Sequence, residues 1–176
     1  AFTFRCFDLF NILKNTGCLA LSRLNDRGIS SGCEGDIPAL FTMIIGRLMT
    51  GKPTFMANPS QVHNDGVTFA HCTVPTRMVS SYGYKTHFES GLGVAIAGTF
   101  ENAPVTVAKI NGPGLDEVFA ADGEIISSPS QENLCRTQIK VKLTEGNDYF
   151  LQSPLGNHHV IIDGHHSNTF KALFDF

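Results

Sequence analysis

The sequence predicts an α+β fold, in which an α/β segment is followed by a mainly antiparallel domain resembling a β-barrel or a β-sandwich. Helical periodicity is confined to the first part of the chain. After about Pro75, short strand-like runs follow one another, separated by Gly, Pro, Asn and Asp. The run IKVKL at 139–143 alternates as a strand with one solvent-exposed face should. We therefore expect the α/β part to give way to the all-β part between about residues 72 and 85.

The first part is predicted to contain three helices and three strands. In the third helix, apolar residues recur with the i, i+3, i+4 spacing of a helix that is buried on one side. Asp36 stands at its N-cap position, Pro38 is tolerated in its first turn, and Gly51 ends it. The predicted helices cover 7–15, 19–27 and 37–50, and the predicted strands cover 29–33, 54–62 and 67–72.

The second part is predicted to be built from short strands. No phosphate-binding glycine pattern, nucleophile elbow or zinc-finger spacing occurs among them. The predicted strands are 87–90, 94–100, 105–110, 124–127, 137–143, 149–151 and 159–163, followed by a short helix over 167–174.

Composition and charge exclude several classes of protein. The hydrophobic fraction of 42% and the charged fraction of 16% are typical of a globular chain with a buried core. The net charge is −3 and basic residues are scattered singly, so we expect no nucleic-acid partner. The longest apolar stretch, 37–45, is shorter than the roughly 20 residues that cross a bilayer, so we expect no membrane span. Five cysteines without a CxxC pair, and no recognisable signal peptide, favour a reducing cytoplasm.

Two carboxylates in the segment GCEGDIPALFTM are the first candidates for chemistry. Asp36 is explained as a helix cap. Glu34 lies between a predicted strand and a predicted helix, a position where ligands collect in open α/β sheets, although a surface glutamate in a turn fits equally well.

Histidines are the second group of candidates, with seven in the chain. His158-His159 is a doublet, and adjacent residues of a strand point to opposite faces, so only one of the two can face a given site. His71 lies at the end of a predicted strand, and a hydrogen-bonded core histidine is the alternative for it. Glu89 could face a cleft or solvent, and Arg136 could bind a substrate anion or a buried acid.

Taken in order, several motifs resemble the C-terminal part of the L-fucose/L-arabinose isomerase superfamily, with the closest likeness to its fucose-isomerase-related branch. The resemblance covers nearly all of this chain and the last third or so of a typical family member. The motifs that carry it are SRLND, CEGD, GKPxFMAN, AHCxxP, HFESG, LCRTQ and GNHH.

The resemblance implies both an architecture and an activity. It implies that residues 1–75 are the C-terminal part of an α/β, Rossmann-like domain and that 76–176 form an antiparallel β-barrel domain with a short terminal helix. It also implies a metal-dependent aldose–ketose isomerase that acts on a free pentose or deoxyhexose. Such enzymes use a divalent metal, usually Mn²⁺, and a carboxylate base that moves a proton between C1 and C2 through an enediol.

The resemblance assigns roles to individual residues. Glu34 would be the acid/base group and a metal ligand. His159 would be a second metal ligand, with His158 as second choice, and His71 matches a ligand of the arabinose branch. Family members are oligomers, so a homotrimer or homohexamer and an N-terminal region outside this chain are further implied partners, besides the sugar itself.

Asn58 is the departure from the family pattern, because a second acidic metal ligand is expected in its segment. An amide oxygen can coordinate a hard metal ion, but it carries no charge and cannot act as a base. Glu89 or Asp163 could take over as the second acid. Two alternatives therefore stay open: a non-catalytic carbohydrate-binding or assembly domain on the same scaffold, and another metal-dependent sugar carbonyl enzyme, such as an aldolase or epimerase.

Overall fold

The computed structural model describes residues 1–174, and its helices lie mostly in the first third of the chain. The longest helix has Asp36 as its N-cap, whose carboxylate accepts a hydrogen bond from Ala39 N at 2.8 Å, and Gly51 ends it in the left-handed conformation. No helix among these residues is long and apolar enough to cross a membrane. The helices are α1 (Cys6–Leu13), α2 (Cys18–Asp26), α3 (Ile37–Thr50), α4 (Tyr149–Gln152) and α5 (Ser167–Ala172).

Six of the ten strands close into a barrel. Their order around it is β10-β3-β4-β9-β8-β7, and every neighbouring pair is antiparallel. The other four strands form two small sheets, one parallel (β1-β2) and one antiparallel (β5-β6). The strands are β1 (Phe2–Thr3), β2 (Ser31–Gly32), β3 (Phe55–His63), β4 (Gly66–His71), β5 (Ser81–Lys85), β6 (Ala95–Thr99), β7 (Pro104–Asn111), β8 (Glu117–Ser127), β9 (Thr137–Leu143) and β10 (His159–Asp163).

Two large hydrophobic cores and a small cluster around Cys18, Cys72 and Ala95 hold the fold together. One large core fills the barrel and includes Phe55, Phe69 and Ile161. The other lies between the barrel wall and α3 and includes Met43. Gly46 allows α3 to approach β10 closely, since a Cβ atom there would lie 2.8 Å from Ile162 Cδ1. This close packing fixes α3 against the barrel, and it thereby also fixes the position of the first turn of α3.

The predicted fold class is confirmed, because helices accompany a mainly antiparallel closed barrel. The division into two domains at residue 75 stays a prediction. The barrel itself includes β3 and β4, which precede that position in the chain.

Local predictions failed at several places, and β1 was not predicted at all. The predicted strand at 87–90 is a turn, and the neighbouring strand β5 was not predicted. The predicted strand at 149–151 is the short helix α4. The predicted strand at 29–33 shrinks to the two residues of β2.

Candidate functional site

Glu34 lies in the turn between β2 and α3 and has an unusual backbone conformation. Its φ is 59°, in the left-handed region, and Gly35 follows with a φ of 69°. This conformation costs an L-residue with a Cβ atom about 1 kcal/mol. Such strain is concentrated at functional sites, where the surrounding structure imposes it. Here the Glu34 N–H donates to Cys6 Sγ at 3.3 Å, which helps to hold the turn.

A cavity of about 140 Å³ opens beside Glu34. It lies where the turn after β2, the starts of α1 and α2, and the strands β3 and β4 come together. Its lining includes Glu34, Asn58, His71, His87 and Glu89, together with all five cysteines of the chain (Cys6, Cys18, Cys33, Cys72 and Cys135).

His158 lies between Glu34 and Asp36. Its Nδ1 lies 3.0 Å from Asp36 Oδ2, and its Nε2 lies 3.7 Å from Glu34 Oε2, which is too long for a hydrogen bond. Burial raises the pKa of Asp36, but the hydrogen bonds from His158 and Ala39 N and the charge of Lys109 outweigh this and lower the pKa to about 2. An ionised carboxylate can only accept, so the proton of a neutral His158 ring is on Nδ1 and Nε2 carries the lone pair.

Lys109 on β7 is the cation that balances Asp36. It is only 2% exposed, and its Nζ lies 3.3 Å from Asp36 Oδ2. Burial lowers the pKa of Lys109, whereas the charge of Asp36 and the hydrogen bond to it act in the opposite direction. Asp36 thus caps α3, orients His158 and pairs with Lys109.

His71, the last residue of β4, is fully buried and neutral. Burial, and next the charge of His158, lower its pKa to about 3. Its Nδ1 lies 2.8 Å from Thr73 Oγ1, and its ring makes an edge-to-face contact with His158 at 5.3 Å between centroids. One ligand atom each of Cys33, Glu34 and His71 lie within 4.8 Å of one another.

Three buried polar atoms at this site lack hydrogen-bond partners among residues 1–174. They are Asn58 Oδ1, His158 Nε2 and Thr16 Oγ1. Unpaired buried polar atoms are costly and therefore call for an explanation. The cavity is thus lined by a carboxylate, an imidazole and an amide oxygen, and a second imidazole lies against the carboxylate. Together they are a donor set that fits a divalent metal ion.

The structure brings together only some of the residues that were predicted from the sequence. Glu34, Asn58, His71 and Glu89 line the cavity, and His158 lies against Glu34. Their roles as ligands or catalytic groups stay predictions.

His159, the preferred member of the doublet, turns away from this group. Its Nε2 lies 2.9 Å from the Tyr149 hydroxyl, and its ring packs against Phe69 and Phe150 inside the barrel. Because adjacent residues point to opposite sides of the barrel wall, His158 takes the position beside Glu34 that was expected for His159. The second choice of the sequence prediction is thus the residue that the structure places at the site.

Arg136 is also engaged elsewhere. Its Nε donates to Thr86 O at 2.9 Å, and its Nη1 lies 3.4 Å from a Glu132 carboxylate oxygen. It is not among the residues that line the cavity.

Sequence reasoning missed the second role of Asp36 and the whole role of Lys109. Asp36 was fully explained as a helix cap by its neighbours in the sequence, so the pattern gave no reason to expect a distant partner. Lys109 had a usable signal, because it interrupts the apolar run of a strand in the segment VTVAKI. A lysine in such a position is buried only when it is paired.

Comparison with known proteins indicates a relationship to a sugar isomerase. No protein-family model matches the chain. Over 75 residues the chain is 36% identical to sulfoquinovose isomerase from Clostridium sp. (strain MSTE9). The match covers 41% of this chain and 17% of that protein, so the chain spans well under a fifth of its relative's length. The chain is therefore similar, over part of its length, to a sugar isomerase.

Proposed function

We propose that this chain carries the acid/base and metal-binding part of an aldose–ketose isomerase active site. One observation carries the proposal: the Glu34 carboxylate, held on a left-handed backbone, lines one cavity with His71 and has His158 against it. The partial sequence similarity to a sugar isomerase is a second line of support for this activity, independent of the structure. The narrower assignment to the L-fucose/L-arabinose isomerase superfamily is part of the proposal.

Glu34 is the group that we assign to proton transfer. Its side chain is 29% exposed, so a ligand in the cavity can reach the carboxylate. A carboxylate oxygen of Glu34 would remove a proton from the carbon next to the sugar carbonyl and return it to the carbonyl carbon, while the hydroxyl proton passes from one of the two sugar oxygens to the other. A positioned general base of this kind contributes between about a hundredfold and ten-thousandfold to the rate.

Asp36 and Lys109 position the site without touching the sugar. Asp36 accepts from His158 Nδ1 and so directs the Nε2 lone pair towards Glu34. A carboxylate that orients an imidazole in this way also raises its basicity as a ligand. Lys109 keeps Asp36 charged in a mostly buried position.

The metal donors that we propose are Glu34, Asn58, His71 and His158, and the metal is Mn²⁺ or another divalent ion. Asn58 Oδ1 and His158 Nε2 are two of the buried atoms that need a partner. Once bound, such an ion would polarise the carbonyl and hydroxyl oxygens of the sugar. His71 is suited to binding the ion, because its low pKa keeps the imidazole neutral.

The substrate that we propose is a free sugar, with pentoses, deoxyhexoses and sulfoquinovose as the first compounds to test. The cavity of about 140 Å³ is large enough for an ion with waters. A typical ligand pocket is larger, at roughly 300 Å³ or more. We propose that the rest of the sugar pocket comes from a further region of the protein or from a neighbouring subunit of a homotrimer or homohexamer. Glu89, which also lines the cavity, is the substrate contact that we propose.

The test is isomerisation by the full-length protein with Mn²⁺, measured as ketose formed from each aldose of the panel. Glu34→Gln should lower the rate by at least about a hundredfold. Glu145→Gln is the matched control, because Glu145 is exposed and lies outside the cavity lining. Wild-type rates in the Glu34→Gln variant would remove Glu34 from the mechanism.

Asn58 favours a second candidate, a carbohydrate-binding domain without turnover. An amide at this place leaves one carboxylate fewer than the family pattern expects. This second candidate would be supported if sugar binding persisted in a chelator and no sugar of the panel gave a product. Products with an inverted centre or a cleaved carbon–carbon bond would instead indicate an epimerase or an aldolase.

A further inference from the structure

We propose that Cys6 and Cys33 are an oxidation site, at which peroxide forms a reversible disulfide beside Glu34. The two Sγ atoms lie 2.7 Å apart, and both cysteines are free thiols in the structure. A disulfide needs about 2.05 Å between its sulfurs, so the bond can close with a movement of less than an ångström.

The two cysteines come from different elements that the fold fixes together. Cys6 is the first residue of α1, and Cys33 follows β2 directly. The strands β1 and β2 pair in parallel just before these positions, with Thr3 opposite Gly32. The sulfur contact therefore belongs to a defined junction of the backbone, not to a chance meeting of two long side chains.

Peroxide can reach this pair through the cavity. Both cysteines line it, and its volume of about 140 Å³ exceeds what a small oxidant needs. Cys33 is only 5% exposed, whereas Cys6 is partly exposed. We therefore assign Cys6 to the first attack and Cys33 to the second.

The reaction is balanced with hydrogen peroxide as the oxidant. The Cys6 sulfur attacks one peroxide oxygen, the O–O bond breaks, and the departing hydroxide leaves as water with the Cys6 thiol proton. The Cys33 sulfur then attacks the sulfur of the Cys6 sulfenic acid. The S–S bond forms, the S–O bond breaks, and the hydroxide leaves as a second water with the Cys33 proton. Two thiols are oxidised to one disulfide, and one peroxide is reduced to two waters.

The disulfide would alter the surroundings of Glu34. In the reduced protein, Cys6 Sγ accepts the Glu34 N–H, and Cys33 contributes a thiol to the group with Glu34 and His71. Oxidation converts both thiols and ties the Glu34 turn to the start of α1. Formation of the disulfide does not depend on the proposed isomerase function, but its effect on activity does.

The experiment is peptide mapping of the reduced full-length protein after treatment with hydrogen peroxide and blocking of the remaining thiols. We expect a Cys6–Cys33 cross-link that a dithiol reverses. Cys135→Ser is the matched control, because Cys135 lines the same cavity and its loss should leave the cross-link intact. In Cys33→Ser, a sulfenic acid on Cys6 should be trapped by dimedone.

Two results would overturn the proposal. One is that Cys6 and Cys33 are both recovered as blocked thiols while Cys18, Cys72 or Cys135 is oxidised. The other is that the disulfide formed by peroxide in the wild-type protein still forms in Cys6→Ser and so does not involve Cys6; the fold should tolerate this variant at a partly exposed position. The readout needs neither sugar nor turnover, so its failure is distinct from a failure of the isomerase proposal.

Discussion

Asp36 and His158 are 122 positions apart in the chain, and His158 Nδ1 lies 3.0 Å from Asp36 Oδ2. The other carboxylate oxygen, Oδ1, accepts from Ala39 N at 2.8 Å and caps α3. One carboxylate thus sets both where the helix begins and which nitrogen of His158 faces Glu34. The proposed chemistry depends on this division between its two oxygens.

Asp36→Asn should weaken Mn²⁺ binding while keeping the helix cap. An asparagine is as good a cap as an aspartate, so its oxygen stays on Ala39 N and its NH₂ group turns towards His158. His158 Nδ1 must then accept, and the proton moves to Nε2, which no longer has a lone pair to offer. We expect Mn²⁺ affinity to fall by about ten- to a hundredfold, the usual effect of losing such a partner.

Isothermal titration calorimetry with Mn²⁺ measures this change. Circular dichroism of the same samples should show that the helices are retained. An Asp36→Asn protein with wild-type Mn²⁺ affinity would mean that Asp36 does not orient His158.

Glu34→Gly should give a more stable protein than Glu34→Ala. Both variants remove the carboxylate and should lose isomerase activity. A difference in their stability therefore reports the backbone conformation at position 34. Glycine adopts a φ of 59° freely, whereas alanine keeps the strain. We expect a difference in the free energy of unfolding of about 1 kcal/mol in favour of glycine.

Urea unfolding of the two variants measures this difference. Equal stabilities, or a more stable alanine variant, would show that the turn at Glu34 is not strained.

Asn58→Asp should bind Mn²⁺ more tightly, by about tenfold, because an added carboxylate raises the charge that the donors present to the ion. Without metal the same variant should be less stable than wild type by about 1–3 kcal/mol, because a charge replaces a buried amide oxygen that has no partner among the described residues. Binding is measured by calorimetry and stability by denaturant unfolding in a chelator.

Asn157→Asp is the control for this substitution. Asn157 lines the same cavity but is exposed, so a carboxylate there adds charge without entering the proposed donor set. If Asn157→Asp tightened Mn²⁺ binding as much as Asn58→Asp, the effect would come from general electrostatics and not from coordination.

Acid should destabilise the metal-free protein through its buried histidines. Burial lowers the pKa of His159 from 6.5 to about 3 in the folded state. Below pH 6.5 the unfolded chain takes up this proton and the folded chain does not, so the stability present above pH 6.5 is lost as the pH falls towards 3. The loss is about 1.4 kcal/mol per pH unit in the middle of this range, and His71 adds a similar contribution.

His159→Gln should reduce the slope of unfolding free energy against pH by this amount, because glutamine does not titrate. Denaturant unfolding at several pH values between about 6 and 4 provides the comparison. An unchanged slope would show that His159 is protonated in the folded protein at these pH values.

The sequence predicted what local pattern determines. The cap at Asp36, the end of α3 at Gly51 and the strand at 137–143 all depend on neighbouring residues, and all are confirmed. The segment 149–151 was predicted as a strand from its apolar residues, but it forms one turn of helix in which Phe150 enters the barrel core. Three apolar residues carry too little periodicity to separate these two structures.

The site was predictable in part, because its residues lie on distant segments. Glu34 was singled out by its position and by the resemblance, whereas for the doublet the resemblance preferred His159, which turns away from Glu34. Which of two adjacent histidines faces Glu34 depends on the register of β10 against β3, and His159 pairs there with Ala57. The contact of Cys6 with Cys33 depends on the pairing of β1 with β2, two strands too short to recognise from sequence.

The proposed site makes opposite predictions for the two histidines of the doublet, and this is its most direct test. Mn²⁺ dissociation constants of the full-length protein should be measured for wild type, His158→Gln and His159→Gln. In His158→Gln, the loss of a ligand should weaken Mn²⁺ binding by at least about a hundredfold. This is the largest effect usually seen when only a hydrogen-bond partner of a ligand is lost. His159→Gln should stay close to wild type, because His159 is bonded to Tyr149 inside the barrel. Wild-type Mn²⁺ affinity in His158→Gln, with binding lost in His159→Gln, would contradict the site.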